Sequence, residues 1–200
     1  MATLTMTTIG EQLHWCYANL GMAEFAVHQG DKAYTSKHFA LRNRLHSGLK
    51  RGTMAPRSLM RDQKIRMKLP QECIYCGSTL ALAIDHVIPT NRGGADSGDN
   101  AVWSCRSCNS SKADRDLFAW WSACRDNFPP LFAVRVYLKQ AIQYFTHNSL
   151  MGHARSDAPD SPFSLKDLPS QFPEPDKLIF SPFHARKKED PKVRLSGINP

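Results

Sequence analysis

The sequence predicts an α+β fold, with a small β-containing module set between amphipathic helices and a proline-rich tail behind them. Three observations predict it. Apolar residues recur at steps of three and four before residue 70 and again after residue 130, the helical period. Between them lie two short β-rich runs, Leu80–Ile88 and Ala101–Ser104, around the glycine-rich loop Arg92-Gly-Gly-Ala-Asp-Ser-Gly98. From His153 the periodicity stops and proline takes over, eight in the last 48 residues.

Thr8-Ile-Gly-Glu11 has the form of a capping box. After it, Ile9, Leu13, Cys16, Leu20, Ala23 and Val27 make one apolar stripe, expected to stop near Gly30. A second helix is expected from about Ser36 to Arg51, with Leu41, Leu45 and Leu49 on one face and Lys37, Arg44 and Arg51 on another. Pro56 suits the first position of a third helix, running to about Lys68 before Pro70 ends it. A helical run is expected from about Arg106. Behind Pro129-Pro130, the residues Leu131, Val134, Leu138, Ala141 and Phe145 predict a further helix. The chain thus divides into a basic helical extension (1–69), a central module (70–127), a C-terminal helix (128–152) and a tail (153–200) expected to stay extended or disordered until bound.

A chain of 200 residues, 42% hydrophobic, has enough apolar material for one real core with extensions. No run approaches the length needed to span a bilayer, and the first fifteen residues lack the basic and apolar segments of a secretory signal. The expected location is the cytoplasm, where thiols stay reduced. A net charge of +8 favours a polyanionic partner, nucleic acid before a membrane surface.

Cys73-x-x-Cys76 and Cys105-x-x-Cys108 are two knuckles separated by 28 residues. A two-residue spacer lets both thiolates of a pair point at one ion, and two pairs complete a tetrahedral zinc site. A redox pair of the thioredoxin kind has no use for the second knuckle. Cys16 and Cys124 are expected to be buried small hydrophobes. A closed four-cysteine site leaves no position open for substrate, so any chemistry lies elsewhere.

Between the knuckles stand Asp85-His86, Gly93-Gly94 and Asp99-Asn100, and directly after the last cysteine comes Asn109-Ser-Ser-Lys112. Taken singly these are ordinary strand-end and turn residues. Their order, Cys-x2-Cys, Asp-His, Gly-Gly, Asn, Cys-x2-Cys-Asn-x2-Lys, resembles the zinc-knuckle branch of the HNH (ββα-metal) endonucleases, with Asn109 where the family name has its last histidine. The resemblance covers about residues 70–115.

The resemblance implies a two-stranded ribbon packed on a helix and holding one catalytic ion. Asp85 and Asn109 would be its ligands and His86 the general base. Asn100 would pin the loop carrying His86 by backbone hydrogen bonds, and Lys112, one helical turn after Asn109, would meet the scissile phosphate, with Arg106 as a further phosphate contact. A neutral imidazole suits proton abstraction near pH 7, and two hard oxygen ligands plus water suit magnesium or manganese. The cofactors implied are therefore one structural zinc and one catalytic magnesium or manganese ion.

Between Lys32 and Lys68 there are eleven Lys/Arg and one acid, Asp62. We expect this stretch, with Lys37, Arg44 and Arg51, to grip nucleic-acid phosphates, DNA favoured over RNA, rather than serve only as a solvated face. The tail run Arg186-Lys-Lys188 is offset by Glu189-Asp190. Two other readings stay open. One is a nuclease subunit activated by a protein partner, as in restriction or phage-defence systems, docking through the flanking helices or tail. The other is a non-catalytic zinc-ribbon nucleic-acid-binding protein, against which Asp85, His86 and Asn109 argue.

Overall fold

Residues 6–56 and 59–184 are described by the structure, a computed structural model, apart from the side chains at 59–61 and 63. Helix α1 (Ile9–Gln29) begins with the capping box the sequence predicts. The Glu11 N–H donates to Thr8 Oγ1 at 3.2 Å, and the Glu11 carboxylate takes the Thr7 and Thr8 N–H groups. The stripe from Ile9 to Val27 is buried, and the Gly30 N–H closes the helix on the carbonyls of Ala26 and Val27.

Helix α2 (Ser36–Lys50) packs on α1. Its third position carries His38 where a capping box has Glu or Gln. The buried imidazole accepts the Thr35 N–H on Nδ1 at 2.8 Å and meets Asp31 through Nε2 at 3.0 Å. Lys37, Arg44 and Arg51 are exposed, as expected. Helix α3 (Leu59–Lys68) ends before Pro70 as predicted, but Pro56 lies in coil and is not its first position. Arg57 and the 186–190 charge run fall outside the described residues.

Strands β1 (Leu82–His86) and β2 (Ala101–Cys105) form an antiparallel ribbon, with Ile84 opposite Trp103 and His86 opposite Ala101. Helix α4 (Arg106–Lys112) follows β2 without a linker. The helical run does not continue, because Ala113 takes φ 49° and ψ −129°. Asp116 then caps helix α5 (Leu117–Cys124), accepting the Phe118 and Ala119 N–H groups on Oδ1. Its other oxygen accepts Tyr137 OH at 2.5 Å and the Ser164 N–H at 3.0 Å, so one buried carboxylate joins α5, helix α6 (Leu131–His147) and the tail. The single acid of the basic stretch is spent inward too. Asp62 pairs with Lys139 and Arg135 of α6, and Arg135 also pairs with Glu24 of α1.

Among the described residues, the tail is irregular but not loose, which corrects the expectation that it waits for a partner. Phe163, Leu165, Leu168, Phe172, Leu178 and Phe180 are buried in the same core as α1 and α6. The carbonyls of Ile179 and Phe180 accept the Leu131 and Phe132 N–H groups at 2.9 and 3.0 Å. They cap the start of α6, where Pro130 offers no side-chain acceptor. Gln12 and Trp15 of α1 donate to the carbonyls of Leu165 and Ser170. Prolines limit regular structure here to short 3-10 turns, yet they leave apolar side chains free to anchor a strap. Among the described residues no helix is long and apolar enough to cross a membrane.

Phe163 packs edge-on against Tyr137 and at a tilt against Tyr144 and Phe145 of α6. Phe163→Ala is expected to cost about 3–5 kcal/mol in denaturant unfolding, the usual penalty for truncating a core aromatic. A tail that only waits for a partner predicts no change.

Candidate active site and metal centre

The first knuckle is a tight turn in which the Cys73 N–H donates to Ser78 O and the Gly77 N–H to Cys73 O, both at 2.8 Å. The Ile74 N–H donates to Trp103 O at 2.9 Å, docking the knuckle on β2. Cys105 ends β2 and caps α4, with the Cys108 N–H donating to its Sγ at 3.4 Å. Four Sγ atoms, of Cys73, Cys76, Cys105 and Cys108, thereby lie within 4.8 Å of one another, Cys76 and Cys105 at 3.6 Å. Thiolates bound at about 2.3 Å to one tetrahedral zinc sit about 3.8 Å apart, so the donor set fits that ion.

Their electrostatics ask for a cation. Burial pushes the Cys76 and Cys108 thiols up. Cys105 is raised by burial too, but hydrogen bonds from the Cys108 N–H and neighbouring thiols bring it down to about 7. Arg125 donates to Cys108 Sγ at 3.3 Å while its guanidinium lies 4.6 Å from the Trp121 ring centre. It offsets part of the negative charge that four thiolates leave around a divalent ion. Cys16 is buried as expected, whereas Cys124 is exposed, its thiol donating to Trp120 O.

Beside this clamp, β1 and α4 border an open polar cleft lined by Asp85, His86, Thr90, Asn91, Asn109 and Asp114, with Ile84 at its edge. Three of the residues singled out in the sequence, Asp85, His86 and Asn109, therefore share one cleft. Each Asp85 oxygen has one partner: Oδ2 accepts Tyr75 OH at 2.7 Å, and Oδ1 accepts Lys112 Nζ at 3.2 Å. A carboxylate has about four lone-pair sites, so both oxygens keep one for a hard cation. The amide oxygen of Asn109 is of the same donor class. The cleft fits an oxygen-ligated divalent ion.

Asn100 is wholly buried. Its Oδ1 accepts the Ile88 N–H at 2.8 Å, and its Nδ2 donates to the carbonyls of Ile88 and Ala95 at 2.7 and 2.9 Å. It pins the loop to the end of β1. The loop can pass this close only because position 94 is glycine, where a Cβ would lie 2.1 Å from Ile88 O.

Lys112 departs from its expected position. Its side chain has 0% exposure and lies beneath the cleft, with Nζ on Asp85 Oδ1 and, at 2.7 Å, on the His86 carbonyl oxygen. Burial pushes the ammonium down against the pull of Asp85. In this arrangement it cannot reach a phosphate and instead braces two consecutive residues of β1. Arg106 is exposed.

Four partners were not legible in the sequence: Tyr75, Asp96, Arg66 and Arg125. Asp96 meets His86 Nε2 at 3.1 Å from the glycine-rich loop. Arg66 leaves the basic stretch to donate to the carbonyls of Gly98 and Ala101, holding the far end of that loop. Only Tyr75 carried a signal, since it lies inside the first knuckle.

Residues 73–115 match the family model described as HNH endonuclease. No curated protein and no solved structure matches the chain.

Two outcomes test the site's framework. Lys112→Met should destabilise the fold by about 3–5 kcal/mol in denaturant unfolding, because it leaves a buried carboxylate without its cation. A lysine pointing at solvent predicts almost no change. Arg125→Ala should weaken zinc retention against a chelator by about 10- to 100-fold, the usual effect of removing a group that braces a metal ligand. Arg125→Lys should recover part of it.

Proposed function

We propose that the HNH domain hydrolyses phosphodiester bonds of nucleic acid, DNA first, with His86 as general base. The observation that carries this is one open cleft presenting an imidazole beside two oxygen donors, Asp85 and Asn109. Phosphodiester hydrolysis adds water to phosphorus and breaks one P–O ester bond, so a proton must leave the water and charge must be offset at the phosphoryl and leaving oxygens. Asp85 and Asn109 would hold a magnesium or manganese ion, which would supply that offset when bound.

His86 accepts the water's proton on Nδ1 while Asp96 holds Nε2, an orientation in which the carboxylate also stabilises the imidazolium that results. Lys112 fixes the carbonyl of His86 and one oxygen of Asp85, so base and ligand keep their relative placement. Asn100 and Arg66 hold the loop that carries Asp96. None of the three donates or accepts a proton in the reaction. The zinc cluster takes no chemical part and holds the ribbon to α4.

Lys37, Arg44, Arg51 and Arg106 grip the phosphate backbone on this reading. Lys37 does so with its charge shared, since its Nζ lies 2.9 Å from Asp31. Arg44 and Arg51 make no ion pair among the described residues. Phosphate contacts hold a strand but do not choose its sequence.

His86→Ala should fold and bind DNA as the parent does while cleaving about 10²- to 10⁴-fold more slowly, the share general acid–base catalysis commonly supplies. Single-turnover cleavage of a labelled duplex measures it. A variant within a few-fold of the parent removes His86 from the reaction.

A further inference from the structure

Among the described residues, two phenylalanine side chains are exposed, Phe25 at 38% and Phe39 at 39%, and both lie on the α1–α2 pair. They are joined through a run of rings. Phe25 is 5.7 Å from His38, His38 is 5.9 Å from Tyr34, and Tyr34 is 6.0 Å from Phe39, centre to centre. The run is anchored from within, since His38 is wholly buried and bonded at both ring nitrogens. Each exposed ring has a cation against it. Lys37 Nζ is 5.9 Å from the Phe25 centre, and the Arg42 guanidinium is 5.1 Å from Phe39 and 4.5 Å from Trp15.

We propose that this face binds an unpaired stretch of nucleic-acid strand, with bases stacked on Phe25 and Phe39 and phosphates held by Lys37 and Arg42, the cations beside those rings. For its substrate class the proposal rests on the endonuclease reading. Bases in a duplex are already stacked on one another and offer no face to a ring on a helix surface. Unpaired bases do, whatever their sequence. Charge selects the same occupant. Helix α2 contains four Lys/Arg, at 37, 42, 44 and 50, and no acid, and Arg51 follows it. The nearby acids are engaged: Asp31 with Lys37 and His38, Glu11 with Lys50, and Glu174 with the Tyr34 N–H. A protein-docking face keeps aromatics at its centre but sheds lysine there, whereas a strand-binding face interleaves rings with cations.

The test is fluorescence anisotropy of a labelled oligothymidylate and of a duplex of equal length, without added divalent ion. The Phe25→Ala/Phe39→Ala variant should bind oligothymidylate about tenfold more weakly or worse. Its duplex affinity should stay within about twofold, and its dependence of log affinity on log salt should match the parent's, since no charge is removed. Phe39→Leu, which keeps apolar area without a π face, should weaken binding as alanine does, and Phe39→Trp should retain it. A Lys37/Arg42 double alanine variant should instead flatten the single-strand salt slope by about 0.7 for each phosphate no longer neutralised. Unchanged single-strand affinity in the folded double variant overturns the proposal. So does an equal weakening for strand and duplex, or disappearance of a co-purifying protein with strand affinity intact. Binding is read without cleavage, so a parent protein that binds strand but leaves DNA uncut refutes the endonuclease reading alone.

Discussion

Cys105 occupies three places at once: it closes β2, caps α4 and offers a thiolate to the cluster that Cys73, Cys76 and Cys108 complete. Drawing four thiolates onto one ion therefore fixes the end of a strand, the start of a helix and the preceding turn in one step. A two-stranded ribbon with a seven-residue helix cannot hold itself together in water. Binding free energy at such a centre is folding free energy. Everything in the cleft is placed by the result, because Asn109 directly follows Cys108 and Asp85 lies on the strand paired with β2.

The clamp brings a carboxylate, an imidazole and an amide to one place but does not orient them. A second, polar layer does so. Lys112 and Tyr75 hold Asp85 from below, Asn100 ties the loop to Ile88, and Asp96 meets the exposed edge of His86. Arg66 extends this layer into α3, which the buried pairs of Asp62 with Lys139 and Arg135 anchor to α6. The flanking helices are thus mechanically continuous with the loop that faces His86. The strap from Phe163 to Phe180 holds those helices in turn.

The parts of this arrangement that were legible in the sequence are those set by period or spacing. The stripe from Ile9 to Val27, the stripe of α6 and the two knuckles each follow from local rules, while the order Asp85-His86, Asn100, Asn109 was legible through its resemblance to the HNH family. What was not legible depends on contacts far apart in the chain. Nothing local marks where the run from Arg106 breaks: Ala113 turns the chain out of the helix, and Asp116, whose bonding Tyr137 and Ser164 complete, starts a new one. Lys112 shares a helix with Asn109, and only the buried Asp85 across the ribbon decides that its ammonium turns inward. The tail has no period at all, so its anchors Phe163, Leu168 and Phe180 could be recognised only against the core they fill. Asp96 and Arg125 are ordinary surface residue types whose meaning comes from what stands opposite them.

Plasmid cleavage by the zinc-loaded protein decides whether this zinc-clamped cleft is a metal-dependent phosphodiester-hydrolysing site. Supercoiled DNA should be nicked or linearised once magnesium or manganese is added and stay intact when neither is present. Supercoiled DNA that remains intact with either ion, under conditions where the protein is folded and holds its zinc, would contradict that reading of the cleft.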